Sequence, residues 1–241
     1  MSKSDISGVK ALVFDVFGTV VDWRSSVIGE LEAFGRGKGV AADWTAIADA
    51  WRAGYQPAMD RVRKGALPWT ILDDLHRVTL ETLLVKHGVG GVSESEMDHL
   101  VTIWHRLHPW PDAVEGLTRL KRRYIIATLS NGNVGLLLNM AKHAGLPWDN
   151  IFSAELVRHY KPDAEAYLSV PSLLRRMPEE VMLVAAHNGD LVAAARHGLK
   201  TGFVARPTEY GPHQIRDFKA EHEFDVVARD FVELAELMAA S

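Results

Sequence analysis

Short apolar runs alternate with amphipathic segments along most of the chain. Five runs have the length of buried strands: ALVFDVF, YIIATLS, VMLVAA, TGFVAR and FDVVA. Segments with helical spacing stand between several of them, such as NVGLLLNMAKHAG and DLVAAARHG. Nearly continuous apolar runs are typical of parallel strands that are covered on both faces. The repeated strand–helix units therefore predict an α/β fold with a doubly wound parallel sheet.

A long helical stretch separates the first run from the second. Its apolar residues recur at threes and fours: Trp44, Ile47, Trp51, Tyr55, Met59 and Val62. This spacing is typical of an amphipathic helix, and no convincing strand interrupts the pattern before Arg106. We predict an all-helical cap domain over 24–106, inserted after the first strand. Residues 1–23 and 107–241 would form the α/β core domain, with the cap over the carboxyl edge of its sheet.

Turn-forming residues mark helix ends and loops in the second half of the chain. Asp112 is placed to cap the helix DAVEGLTRLKRR, and Gly145 stands just past the end of a later helix. Pro171 lies inside an otherwise helical segment and should bend or split it. The stretch RPTEYGPHQ, which begins at Arg206, is polar and marked by Pro and Gly, so it predicts a surface turn. Contact with the edge of a site is the alternative.

The composition excludes several classes of protein. The chain has 241 residues, 47% hydrophobic and 24% charged, which fits a globular protein with a sizeable core. A net charge of -4 with scattered basic residues gives no footprint for nucleic acid. The lack of cysteine excludes disulfides, thiolate catalysis and Cys-based zinc sites, and it agrees with a cytoplasmic location. No signal-peptide pattern and no apolar run near the roughly 18 residues of a membrane span occur, so we expect no membrane partner.

Polar residues collect where the predicted strands end. Four groups stand out: Asp15 with Thr19, Ser130 with Asn131, Lys161, and the set His187, Asn188 and Asp190. Each group alone has an ordinary explanation as a helix cap, a turn or a solvated loop. The carboxyl ends of parallel strands meet at one sheet edge, where ligands bind in open α/β sheets. The coincidence of all four groups at that edge favours a functional site.

The same four segments resemble the motifs of the haloacid dehalogenase superfamily. DVFGT, LSNGN, YKPD and HNGD occur in the order of that family's motifs, with a cap insertion after the first, and the match covers nearly the whole chain. Most members are phosphatases with a second Asp two residues after the nucleophile, whereas this chain has Phe17 there. The L-2-haloacid dehalogenase branch similarly carries an aromatic residue. The segment ADAWRAGY resembles the cap segment that holds its halide-binding arginine, here Arg52.

The replacement of the second acid changes the expected leaving group. A phosphatase must protonate a departing alkoxide and usually needs Mg²⁺ to offset the phosphate charge. Phe17 can neither donate a proton nor act as a ligand of Mg²⁺. The fourth motif adds only Asp190 as a carboxylate ligand. A halide leaves as a stable anion without a proton. We therefore expect no metal and no cofactor, and a small 2-haloacid as the substrate.

The resemblance implies a role for each candidate residue. Asp15 would be the nucleophile that forms an aspartyl ester, and Lys161 would hold it and offset its charge. Thr19 and Ser130 would bind the substrate carboxylate, while Arg52 and Asn131 would cradle the departing halide. Two aromatic side chains complete the expected substrate-binding set: Phe17 and Tyr167.

The fourth motif departs from the best-known members of the branch. His187 stands where they have an Asn, and it is either a base for the hydrolytic water or a structural residue at a strand end. Asn188 and Asp190 complete the catalytic set, with Asp190 orienting its neighbours. With His and Asn in this motif, the sequence resembles dehalogenases that act on small haloacetates, some of which accept fluoroacetate.

Two other functions stay open at this stage. One is a phosphoryl-transfer enzyme that takes its acid from the cap, and the other is a catalytically silent binding protein with the same fold. Many relatives are dimers, so the resemblance also implies a possible homodimer.

Overall fold

A computed structural model describes residues 5–239. Eight strands occur in this part of the chain: β1 (Ala11–Phe14), β2 (Val21–Asp22), β3 (His108–Pro109), β4 (Ile125–Ser130), β5 (Asn150–Ser153), β6 (Val181–Ala185), β7 (Lys200–Val204) and β8 (Val226–Ala228). Six of them form one sheet in the order β5-β4-β1-β6-β7-β8, and every neighbouring pair is parallel.

Helices cover both faces of this sheet. Nine α-helices lie within the described residues: α1 (Trp23–Lys38), α2 (Trp44–Arg63), α3 (Leu72–Lys86), α4 (Glu94–Val101), α5 (Ala113–Leu120), α6 (Val134–Ala144), α7 (Ala164–Leu174), α8 (Asn188–Arg196) and α9 (Phe231–Ala239). Leu12 and Phe14 of β1 pack on the side of α5, α6 and α9, whereas Val13 packs on the side of α7 and α8. The doubly wound α/β fold predicted from the sequence is confirmed.

The all-helical insertion after the first strand is also confirmed. It consists of α1 to α4 and a short 3₁₀ turn over Thr102–His105. Strands β2 and β3 pair with each other in antiparallel fashion where the chain enters and leaves this insertion. Side chains fix the helix starts, because Asp22 accepts from the Ser25 amide and Asp43 accepts from the Ala46 amide. The division into 24–106 and the remainder stays a prediction.

One strand and two helix details differ from the sequence-based expectations. Strand β5 was not predicted, because it is a short edge strand with an exposed Asn150 at its start. Helix α7 runs through Pro171 without being split. Asp112 does occupy the N-cap position of α5, but its carboxylate bonds to Arg206 and to the Phe231 amide instead of capping the helix. Gly145 ends α6 with φ of 66°, as predicted.

The stretch from Arg206 onward forms turns and exposes Pro207 and Thr208, as a surface turn should, but part of it is buried. The β7–β8 loop, residues 205–225, turns back under the sheet edge and buries two charged side chains, Arg206 and Glu209. Arg206 donates two hydrogen bonds to Asp112 and a third to the backbone oxygen of Thr19. These ion-pair bonds offset the cost of burying the guanidinium, which polar composition alone does not reveal.

Within 5–239, no helix is both long and apolar enough to cross a membrane.

Candidate active site

A cavity of about 660 Å³ lies at the carboxyl edge of the sheet, between the core and the helical insertion. The core contributes Asp15, directly after β1, together with Lys161 and His187. Helix α2 of the insertion contributes Arg52 and Tyr55 from the opposite side. The strand order places β1 between β4 and β6, so the loops after these three strands converge here. Ligands of open α/β sheets bind at this kind of position.

Asp15 is held by three donors at the end of β1. Its Oδ1 accepts a hydrogen bond from Lys161 Nζ at 2.9 Å, and its Oδ2 accepts from Thr19 Oγ1 at 2.8 Å. His187 Nδ1 lies 3.1 Å from the same Oδ2. Burial by itself raises the pKa of Asp15, but Lys161 and His187 outweigh it and hold this pKa well below its usual range. The carboxylate is therefore ionised and fixed in orientation.

Lys161 bridges two carboxylates. Its Nζ also lies 2.5 Å from Asp190 Oδ2, while Tyr167 donates from its hydroxyl to Asp190 Oδ1 at 2.6 Å. Burial lowers the pKa of Lys161, but Asp15 and Asp190 outweigh this and raise it, so the side chain stays an ammonium. Asp190 and Tyr167 thus hold Lys161 against Asp15.

His187 lies between two carboxylates. Its Nε2 is 2.9 Å from Glu209 Oε2, on the side opposite to Asp15. Burial lowers the pKa of His187, but the charges of Glu209 and Asp15 raise it well above its usual value. Glu209 is fully buried and also accepts from Trp23 Nε1 at 3.0 Å. Sequence reasoning missed Glu209, because its partner lies 22 positions away and the surrounding loop is polar.

Thr19 and Ser130 do not have the free hydroxyls that the expected contact with a substrate carboxylate would need. Both are fully buried, and their hydroxyls are engaged within the protein. Thr19 Oγ1 donates to Asp15 and accepts from the Ala186 amide at 2.9 Å. Ser130 Oγ accepts from the Gly132 amide at 3.2 Å. The two hydroxyls therefore shape the loops that carry the site. Contact with a substrate in the cavity is left to other side chains.

Asn188 also lies apart from the expected catalytic set. Its amide group donates to Asp217 Oδ1 at 2.9 Å and to the Lys219 oxygen at 3.1 Å. Its Oδ1 accepts from the Glu221 amide at 2.8 Å. All three partners belong to the β7–β8 loop. The structure thus gives Asn188 the task of anchoring this loop beside the cavity.

Arg52, Asn131 and Phe17 do line the cavity. The Arg52 guanidinium lies 4.5 Å from the centre of the Tyr55 ring, and its buried Nε has no hydrogen-bond partner among the described residues. Asn131 Oδ1 accepts from the Lys161 backbone amide at 2.8 Å, which fixes the Asn131 side chain. Phe17 packs edge-on against Tyr55 and Trp104. A buried cation and an apolar wall suit a small anion next to a carbon chain.

The residues present do not fit a magnesium ion. Magnesium in a related phosphatase site needs several oxygen ligands in octahedral geometry. Here Phe17 replaces one carboxylate, and the Lys161 ammonium occupies the space between Asp15 and Asp190. Within residues 5–239, no cluster of three or more His, Asp or Glu side chains could hold a metal ion. No step of the chemistry below therefore passes through a metal.

The fold and this site are those of a capped α/β hydrolase with a buried carboxylate after the first strand. A family model for haloacid dehalogenase-like hydrolases matches residues 9–198. The chain is 30% identical to (S)-2-haloacid dehalogenase 4A of Burkholderia cepacia over 214 residues, which are 85% of this chain and 88% of that protein. The chain therefore belongs to the haloacid dehalogenase-like hydrolase family, in its L-2-haloacid dehalogenase branch.

Two solved structures are similar over almost the whole chain. The defluorinating L-2-haloacid dehalogenase Rha0230 shares 47% identity with a TM-score of 0.94, covering 96% of this chain and 95% of that one. The L-2-haloacid dehalogenase of Xanthobacter autotrophicus with chloropropionic acid covalently bound shares 25% identity with a TM-score of 0.79. Coverage is then 96% of this chain and 98% of that one.

Proposed function

We propose that this protein hydrolyses the carbon–halogen bond of small 2-haloalkanoates through an aspartyl ester on Asp15, releasing 2-hydroxyalkanoates. It is a hydrolase acting on carbon–halide bonds, in keeping with its branch of the family. The observation that carries the proposal is the ionised Asp15 carboxylate, which faces the cavity with Phe17 where a second acid would stand. The covalent adduct in the Xanthobacter autotrophicus relative supports a covalent route.

The first half-reaction is a displacement at carbon. An oxygen of Asp15 attacks C2 from the side opposite the halogen, the C2–halogen bond breaks, and the halide leaves with the bonding electron pair. Inversion follows wherever C2 is chiral. Lys161 offsets the repulsion between the Asp15 carboxylate and the substrate carboxylate, since its Nζ lies 2.9 Å from Asp15 Oδ1. Arg52 and Asn131 receive the halide, and no proton is needed.

The second half-reaction is hydrolysis of the ester. Water attacks Cγ of Asp15, the bond between Cγ and the alkyl oxygen breaks, and the 2-hydroxyacid departs. His187 is the candidate base because its Nδ1 lies 3.1 Å from Asp15 Oδ2. Asp190 acts through Lys161, which it holds at 2.5 Å.

The substrate range that we propose includes haloacetates and fluoroacetate. It is supported by the likeness to Rha0230, which is described as defluorinating and is 47% identical to this chain. The rings of Phe17 and Tyr55 line the cavity and limit the space around C2. Release of fluoride, chloride and bromide from the corresponding haloacetates, measured with ion-selective electrodes, tests this range.

We also propose a metal-independent, cytoplasmic enzyme that forms a homodimer. Turnover that survives dialysis against a chelator tests the first property, and sedimentation velocity tests the oligomeric state.

Single-turnover hydrolysis in ¹⁸O-labelled water, with enzyme in excess, tests the ester mechanism. The first product should carry unlabelled oxygen from Asp15, while the label enters the protein. Label in the first-turnover product would contradict the ester and indicate direct attack of water on C2. Asp15→Asn is the matched variant and should release no halide.

A further inference from the structure

We propose that Glu209 is a positioning residue for His187, and that this pair becomes the base for ester hydrolysis only after Asp15 has been esterified. The inference rests on the proposed function, and it assigns a role to a residue of the β7–β8 loop that lies outside the four motifs.

Glu209 occupies a position built to hold a carboxylate. Its oxygens accept from Trp23 Nε1 at 3.0 Å and from His187 Nε2 at 2.9 Å. The Glu209 carboxylate fills space that the glycine at position 18 leaves open, because a Cβ on Gly18 would lie 2.1 Å from Glu209 Oε1. Three residues earlier, Arg206 ties the loop to Asp112 with two hydrogen bonds. A fully buried acid held this firmly is suited to fixing the ring of His187.

In the resting site His187 cannot act as a base. Asp15 faces its Nδ1 from the end of β1, and Glu209 faces its Nε2 from the β7–β8 loop. With a carboxylate at each nitrogen, the ring carries both protons and has no free lone pair. Lys161 and Arg52 are the cations of the cavity near Asp15, and Lys161 also pairs with the Asp190 carboxylate. The imidazolium therefore helps to keep the nucleophile ionised before substrate binds.

Ester formation removes the negative charge of Asp15, which keeps His187 protonated at Nδ1. Alkylation converts the Asp15 carboxylate into a neutral ester, so His187 loses one of its two anions while the Lys161 ammonium remains. The Nδ1 proton then passes to solvent, and this is the proton that overall hydrolysis releases. Glu209 keeps the Nε2 proton in place, which leaves the Nδ1 lone pair directed at the ester.

The proton transfers then balance. Neutral Nδ1 takes a proton from water as the water oxygen bonds to Cγ of Asp15. When the bond between Cγ and the alkyl oxygen breaks, Nδ1 returns that proton to the departing alkoxide. The new carboxyl group of Asp15 gives its proton to Nδ1, which restores the imidazolium and the carboxylate. The sum is haloacid and water giving hydroxyacid, halide and one proton.

The test separates the two half-reactions in Glu209→Gln by rapid quench with bromoacetate in excess. We expect a burst of about one bromide per site at the wild-type rate, followed by turnover about 10²-fold slower, since a positioned base contributes about 10²–10⁴-fold. Intact-protein mass spectrometry should show the carboxymethyl ester accumulating. Hydrolysis of that ester should rise with pH to a lower midpoint than in the wild type, because the anion at Nε2 is gone.

Two further variants make the outcome decisive. Glu221→Gln removes the same charge from an exposed side chain of the same loop and should match the wild type in burst and turnover. His187→Gln should trap the ester even more completely, and it serves if Glu209→Gln fails to fold. Equal slowing of burst and turnover in Glu209→Gln, or wild-type turnover in His187→Gln, overturns the inference and leaves the proposed function intact. A wild-type protein that releases no bromide overturns the proposed function itself.

Discussion

Thr19→Val separates two roles for a buried hydroxyl. The family resemblance implies that Thr19 binds the substrate carboxylate, whereas in the structure its hydroxyl joins Asp15 to the Ala186 amide. Valine has nearly the same shape but removes both hydrogen bonds. Losing a bond to a charged acceptor costs about 1.5–3 kcal/mol, and an unsatisfied buried amide costs about 1–3 kcal/mol. The added methyl contact returns about 0.8 kcal/mol, so the net loss should be roughly 2–5 kcal/mol.

Urea unfolding followed by tryptophan fluorescence measures this loss, because the chain has 7 Trp residues. Thr19→Ser is the matched control, since it keeps both hydrogen bonds and loses one buried methyl, about 1 kcal/mol. The KM of Thr19→Val should stay within about twofold of the wild type, since the hydroxyl is fully buried. Equal stability of the two variants, together with a large rise in KM for Thr19→Val alone, would refute this reasoning.

Three further predictions follow from the contacts around the site. Tyr167→Phe removes the 2.6 Å bond to the charged Asp190 and should lower the free energy of unfolding by about 1.5–3 kcal/mol in urea titrations. Asn188→Ala should release the β7–β8 loop, seen as faster protease cleavage within 205–225 than in the wild type. Folding raises the pKa of His187, so its stabilisation is complete below about pH 6.5 and is lost as pH rises through the folded-state pKa. His187→Gln should accordingly lose less stability than the wild type from neutral to alkaline pH.

Sequence patterns were sufficient for most of the fold because the central strands are buried on both faces. Leu12, Val13 and Phe14 are fully buried, and burial of this kind demands the continuous apolar runs that predicted five of the six sheet strands. The missed strand, β5, lies at the edge of the sheet, where one exposed and one half-buried residue leave little pattern. Helix α7 continues through Pro171, so the expected split does not occur.

The site was predictable where its residues follow strands and not where they come from a loop. Asp15, Lys161 and Asp190 meet as the parallel-sheet rule requires, and so do His187 and Asp15. Glu209 carries no such signal, since a buried acid in a loop is recognisable only through the donors that the fold brings to it. For the same reason sequence patterns could not show which hydroxyls and amides are used up within the protein. The fully buried Thr19 is one example.

The charges around the cavity explain why a single acid suits this chemistry. Lys161 pairs with Asp15 and Asp190, and His187 lies between Asp15 and Glu209. The Arg52 guanidinium adds a further cation over the Tyr55 ring. In the proposed displacement at C2, one negative charge moves from the Asp15 oxygen to the departing halide, so the total charge of the site stays constant while its location changes. The charge leaves the side held by Lys161 and His187 and arrives where Arg52 has an unpartnered Nε. A second acid in place of Phe17 would add an anion to the region through which that charge must pass. The phenyl ring instead keeps that wall of the cavity uncharged, next to Tyr55 and Trp104.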